Sequence, residues 1–271
     1  MNLVGQLPSE LEDLAVELGA SRYRGRQLAT WIYRKSVFDL EAMTDLPKDF
    51  RARLGEVAFV EVPVPERLTP SQDGSQKLVF ALDGGARISS VLMPDDDRIT
   101  LCVSTQVGCG FACAFCLTGV MGLERNLTAS EILGQVLAAN RLLGEGRRAT
   151  HIVFMGMGEP LANYAALVKA LRILTDAKLG LGYSPRRITV STVGLVPGIE
   201  KLGREDLKVN LIPFNDWEGA SFRRPPLARI LAFQGVLLDA GITTTVRWSK
   251  GEDVGAACGQ LWESREATVG G

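Results

Sequence analysis

Three of the five cysteines in this 271-residue sequence fall within eight positions, Cys109, Cys113 and Cys116 in "VGCGFACAFCLTG". The spacing Cys-x3-Cys-x2-Cys puts three soft thiolates in one tight, glycine-punctuated loop directly after a strand-like run. Three such ligands can hold three irons of a four-iron four-sulfur cluster and leave the fourth iron open to a substrate. Zinc is the rival, but zinc knots draw a second cysteine pair or histidines from elsewhere, and His151 is the only histidine. Three buried thiols without metal are the remaining reading, and thiols packed together invite oxidation.

The loop needs a frame, and the pattern along the chain supplies one. From Leu7 to about Leu54 the apolar spacing is helical, with Ser9 expected to cap and Glu12 to complete a capping box. "QKLVFAL" and "ARISSVLM" then read as two strands joined by the turn Asp83-Gly84-Gly85. After Ile99 strand-like and helix-like runs alternate, from "ITLCVST" to "TTTVRW". Such alternation predicts an α/β fold, an open or partial (β/α) barrel whose active face lies at the carboxyl ends of its strands. The expected organisation is a helical module over 1–55, a β-hairpin linker over 56–97 and the partial barrel over 98–271.

Bulk properties bound the function. With 46% hydrophobic and 23% charged residues the chain can bury a large core. Thirty basic residues against 31 acidic ones give a net charge of −1, so contact with nucleic acid has to come from local patches. An odd number of cysteines and no export signal or apolar membrane-length run predict reduced thiols, a cytoplasmic location and no membrane. One basic patch stands out: Arg22, Arg24, Arg26, Arg34 and Lys35 alternate with Tyr23, Trp31 and Tyr33. It suits phosphate contact and base stacking, and equally a solvated helix face over an aromatic core.

The cysteine loop at the head of a strand-helix series resembles that of the radical S-adenosylmethionine enzymes. Further words narrow the resemblance: "LCVSTQVGC", "ERNLTASEILGQV", "FMGMGEPLANY", "VSTVG", "KVNLIPFN", "TTVR" and "GEDVGAACGQL" are similar to those of the RlmN family, relatives of Cfr. That family methylates carbon-2 of adenosine in 23S rRNA and tRNA, whereas Cfr acts at carbon-8. The resemblance runs from about Tyr23 to Leu261. It implies a radical-type partial barrel with a four-iron four-sulfur cluster on Cys109, Cys113 and Cys116, and S-adenosylmethionine contacted by Gly158, Glu159, Ser191 and Asn215. It also implies Cys258 as the thiolate that first takes a methyl group and Cys102 as the cysteine that helps remove the carbon-2 proton and release the RNA. Such an enzyme draws electrons from a donor such as flavodoxin or ferredoxin and is expected to act as a monomer.

Two departures from the family pattern carry expectations of their own. Ser89 of "ISSVLMP" stands thirteen residues before Cys102, where the family has a glutamate assigned as proton acceptor; serine is no carboxylate base near neutral pH, so activity is expected to be impaired. The path "GLVPGIEKLGREDLKVNLIPFN" passes from one helix straight to the last strand, so about two strand-helix units are expected to be missing. Either apolar edges are left open there, or "RITVST" pairs directly with "KVNLIPF".

Overall fold

Pro8 decides where the first helix begins. Its fixed φ and missing N–H suit a first helical position, and α1 spans Pro8–Glu17, with the Glu10 carboxylate accepting the N–H of Leu7 at 2.6 Å. The capping box expected at Ser9 and Glu12 is not formed: only the Glu10 bond back to the Leu7 N–H is made, since the Leu7 side chain carries no acceptor, and Glu12 pairs instead with Arg22 and Arg26. This computed structural model describes residues 1–111, 113, 114, 116–193, 195, 197, 209–211, 223–239, 244–246, 248, 250–254, 256, 260 and 261.

Helix α2, Arg22–Ala29, runs into a single π turn over Thr30–Arg34, and α3 follows at Lys48–Val57. Leu11, Leu28, Ile32, Phe50 and Leu54 from these helices are fully or almost fully buried in one core. Complete burial of a side chain of this size is worth about 1.5–3 kcal/mol, which outweighs the modest helix propensity of so short a set of helices.

Strands β1 (Arg67–Pro70), β2 (Gln76–Ala81), β3 (Arg87–Asp95) and β4 (Arg98–Cys102) form an antiparallel run. Strands β7 (His151–Phe154) and β8 (Ile188–Val190) then add in parallel to β4, giving one six-stranded sheet in the order β1-β2-β3-β4-β7-β8. The expected hairpin around Asp83-Gly84-Gly85 is present, and its strands extend the same sheet that carries the parallel units.

Between β4 and β7 lie β5 (Gln106–Gly108), the short α4 (Leu117–Val120), β6 (Leu123–Asn126) and α5 (Ala129–Leu143). Strands β5 and β6 pair antiparallel and close the base of the cysteine loop. Thr128 and Glu131 form the capping box that starts α5, and Ile132, Leu133, Val136 and Leu137 bury its inner face. Helix α6, Tyr164–Thr175, links β7 to β8 and packs beside α5.

Among the described residues the sheet ends at β8. Strand β9 (Val209–Leu211) does not join it: β9 pairs in parallel with β10 (Thr244–Val246), with α7 (Leu227–Asp239) between them. Among the described residues the direct pairing of "RITVST" with "KVNLIPF" is therefore not formed, and nothing pairs with the outer edge of β8. On α7, Leu227, Leu231 and Leu238 recur at helical spacing on one face and are all about half exposed. A strand edge unpaired among the described residues and a half-exposed apolar stripe are what a barrel missing units between two of its strands would show.

Candidate functional site

The cysteine loop leaves β5 and returns to β6. Gly108 makes this turn at φ +70°, and a Cβ there would lie 1.8 Å from the carbonyl oxygen of Gly122, so only glycine fits. The N–H of Cys109 bonds the same Gly122 carbonyl at 2.9 Å, and that of Cys116 bonds the Cys113 carbonyl at 2.9 Å. Cys109 is buried while Cys113 and Cys116 are partly exposed.

Burial pushes the Cys109 thiol up from its ordinary range; the Phe111 N–H offsets this in part, and the neighbouring Cys116 and Glu159 add to the upward push. Cys113 is raised in the same way, first by burial and then by Cys116 and Cys109. Thiols raised in this way, as Cys109 and Cys113 are, are held as thiolates when metal supplies the positive charge. Among the described residues no three His, Cys, Asp or Glu side chains gather around a single metal ion. Cys109, Cys113 and Cys116 lie close enough to act on one another's charge, and a cluster takes each thiolate at a separate iron, so this set of three soft donors fits one. His151 starts β7, at the strand end opposite the loop, and its Nδ1 faces Thr150 Oγ1 at 2.9 Å.

The other parts come from the carboxyl ends of the parallel strands. Gly158 and Glu159 follow β7, and Ser191 follows β8, its N–H reaching the Phe154 carbonyl at 3.4 Å. Glu159 is buried and ties its own turn to β5 and to the segment after β8: its N–H donates to Gln106 Oε1 at 2.8 Å, its carboxylate accepts the N–H of Leu161 at 2.9 Å, and it accepts the N–H of Val193 at 2.8 Å. The cysteine loop, the "GMGEP" turn and the end of β8 thus share one rim.

Residues to which the sequence reading gave no role hold that rim together. Ser104 Oγ donates to the Ser89 carbonyl at 2.7 Å and accepts the Met157 N–H at 2.8 Å. Gln135 of α5 accepts the Ser104 N–H at 2.9 Å and the Ser90 hydroxyl at 2.7 Å. Asn163 donates to the carbonyls of Thr105 and Leu127 at 2.9 and 2.7 Å, tying the turn to both sides of the cysteine loop's base. The detectable signal was a run of polar residues, "STQ", directly after an apolar strand.

Cys102 ends β4 and is buried; its cross-strand partner is Val91. Side chains two apart on a strand share a face, so Ser89, also buried, lies on the face of Cys102. Asn215 and Cys258 lie outside the described residues. In the basic patch, Tyr33 is a core residue whose hydroxyl bonds the Gln6 carbonyl at 2.7 Å. Tyr23 is exposed with Arg24 and Arg26 near its ring, and Lys35 sits 3.4 Å from the centre of the Trp31 ring.

Comparison with known proteins decides what this rim belongs to. Residues 1–60 match the Ribosomal RNA large subunit methyltransferase N-terminal domain, and residues 103–212 match the Radical SAM superfamily. The dual-specificity RNA methyltransferase RlmN of Solidesulfovibrio magneticus is 38% identical, over 96% of this chain and 96% of its own length. The chain belongs to the RlmN family. The probable dual-specificity RNA methyltransferase RlmN of Moorella thermoacetica is 39% identical over 98% of both chains. A solved radical SAM methyltransferase from Sphaerobacter thermophilus superposes with a TM-score of 0.85 at 37% identity, covering 96% of this chain and 99% of its own.

Membership in the RlmN family implies a four-iron four-sulfur cluster and S-adenosylmethionine as cofactors. It also exposes what this member lacks. The match to the Solidesulfovibrio relative runs over 337 positions and this chain has 271 residues, so at least 66 positions inside the match have no counterpart here. Among the described residues no helix is long and apolar enough to cross a membrane.

Proposed function

We propose that this RlmN-family chain methylates carbon-2 of adenosine in 23S rRNA and tRNA, carrying the methyl group on Cys258. The observation that carries this reading is the rim shared by the cysteine loop, the "GMGEP" turn and the end of β8, in a chain whose relatives are named dual-specificity RNA methyltransferase RlmN. Carbon-2 rather than carbon-8 follows from the resemblance of its motifs to RlmN rather than to Cfr.

Cys109, Cys113 and Cys116 would hold the cluster. When bound, the cluster supplies the electron that cleaves S-adenosylmethionine to a 5′-deoxyadenosyl radical. An aromatic carbon-2 has no lone pair with which to attack a sulfonium, whereas a thiolate is a strong nucleophile. Cys258 therefore takes the methyl as a thioether, and Cys102 assists proton removal and resolves the bond between protein and RNA. Gly158, Glu159, Ser191 and Asn215 form the S-adenosylmethionine pocket. Cys102 is buried, which keeps its thiol from oxidants until substrate is in place.

Residues 1–55 serve as the RNA-contacting module, with Tyr23 and Trp31 beside their cationic neighbours as its stacking surface. Residues 56–97 link it to the catalytic part over 98–271. A flavodoxin or ferredoxin donates electrons, and the protein works as a cytoplasmic monomer. The test is anaerobic reconstitution with iron and sulfide, followed by incubation with S-adenosylmethionine, a reductant and either a 23S rRNA fragment or tRNA. 2-Methyladenosine in digested RNA is the expected product; 8-methyladenosine, or none, overturns the reading.

A further inference from the structure

The word "GED" in "GEDVGAACGQL" has no part in the chemistry above, yet the structure uses it. The turn between β1 and β2 reaches across to it over about 180 residues of sequence. Ser71 Oγ donates to the Asp253 carboxylate, whose other oxygen accepts the N–H of Gln72 at 3.0 Å. In return the Asp73 carboxylate accepts the N–H of Gly251 at 2.8 Å as well as that of Ser75 at 2.9 Å. Lys250 Nζ adds a bond to the Pro94 carbonyl at 3.1 Å and a salt bridge to Asp95 at 3.2 Å.

Gly251 itself turns at φ +75°, and the N–H of Ala256 folds back to its carbonyl at 2.8 Å. On the far side of Cys258, Thr118 Oγ1 donates to the Leu261 carbonyl at 2.5 Å. Thr118 lies in α4, two residues after Cys116. The described residues on both flanks of Cys258 are therefore anchored, one flank to the hairpin turn and the other to the helix that closes the cysteine loop.

We propose that Asp73 and Asp253 form a reciprocal latch that, with Thr118, positions the segment carrying Cys258 over the cluster rim. The latch consists of directed bonds between two loops remote in sequence, and each aspartate accepts from a backbone N–H of the opposite loop. Fixing both ends of a short segment restricts where a thiol within it can go, which raises the effective concentration of that thiol at the rim. Asp73, Asp253 and Thr118 are positioning residues. The inference rests on the reading of Cys258 as methyl carrier.

The test uses the full-length, reconstituted protein and its Asp253→Ala, Asp253→Asn and Asp73→Ala variants. Hydrogen exchange of peptides spanning 250–261 and methylation of Cys258, read by mass spectrometry, are followed in the same samples. The expected result in the alanine variants is exchange at 250–261 faster by about tenfold or more, as for loss of a hydrogen bond to a charged acceptor. Cys258 methylation falls correspondingly, while iron content and exchange over 106–127 match the parent. Asp253→Asn, which keeps one accepting oxygen, is expected between the two. Unchanged exchange at 250–261, or faster exchange with methylation at the parental rate, overturns the proposal. An unmethylated Cys258 in the parent itself refutes the carrier reading and with it the role assigned to the latch, while the exchange data still decide whether Asp73 and Asp253 hold the segment.

Discussion

The Glu159 carboxylate accepts the backbone N–H of Val193, 34 residues further along the chain, at 2.8 Å, and so binds the turn after β7 to the turn after β8. Its second oxygen takes the N–H of Leu161. Both carboxylate oxygens are thus engaged within the protein, in a buried position where an unpaired charge is costly. The sequence presents Glu159 as a cofactor contact; the structure adds that it braces the rim on which the cofactor would sit.

Glu159→Gln retains one accepting oxygen and turns an NH2 group toward a backbone N–H. Loss of a charge-assisted bond is worth about 1.5–3 kcal/mol. The expected outcome is a urea midpoint lowered accordingly and S-adenosylmethionine binding weakened about tenfold or more, measured by equilibrium dialysis on the reconstituted protein. Parental affinity in this variant contradicts the bracing role.

Gly108→Ala forces a Cβ into the Gly122 carbonyl at a positive φ. Strain of this kind costs about 1–3 kcal/mol where the backbone holds, and here the pairing of β5 with β6 is the element that must yield. Iron bound per chain after reconstitution is expected to fall well below the parent's, with the far-ultraviolet circular dichroism little changed.

Asp73 gives a pH dependence with a definite sign. Burial pushes its carboxyl up, but the N–H groups of Ser75 and Gly251 outweigh this and bring it down to about 2. A carboxyl lower in the folded than in the unfolded chain stabilises fully above the unfolded value of about 4, and that contribution disappears as pH falls through about 2. Thermal midpoints of the parent and Asp73→Asn are therefore expected to differ by a constant amount from pH 5 to 8 and to converge below pH 4.

The open edge of β8 predicts the effect of restoring what is missing. Inserting the segment that the Solidesulfovibrio relative carries between the counterparts of β8 and β9 would cover that edge and the half-exposed Leu227, Leu231 and Leu238. Burying the remaining half of three leucines is worth roughly 2–4 kcal/mol, which corresponds to a melting midpoint higher by on the order of 5–10 °C. A midpoint at or below the parent's shows that the gap lies elsewhere in the chain.

The parts of this site that were legible in the sequence are the local ones. Thiol spacing within a single loop survives any folding, so the gathering of Cys109, Cys113 and Cys116 in one loop could be read directly. The shortness of the chain relative to its relatives was legible as a short path between two recognisable words, whereas the separate pairing of β9 with β10 was not. The bonds that hold the rim were hidden because most of them end on a backbone N–H or carbonyl, which every residue carries. Glu159 with Val193, Asn163 with Thr105 and Leu127, and Asp73 with Gly251 leave no residue-type pattern to find. The shift of the first cap from Ser9 to Leu7 arose because Pro8 starts the helix by its backbone, whatever hydroxyl follows it. Ser89 was recognisable as a departure by position, whereas its complete burial on the face of Cys102 is a property of the sheet register.

The passage of the methyl group through Cys258 is tested most directly with S-adenosylmethionine carrying a trideuterated methyl group. Transfer by way of the Cys258 thioether, with one hydrogen atom removed before the carbon joins adenine, is expected to leave two deuterium atoms in the new methyl group and to label the Cys258 peptide. A 2-methyladenosine that retains all three deuterium atoms, or an unlabelled Cys258 during turnover, would contradict it.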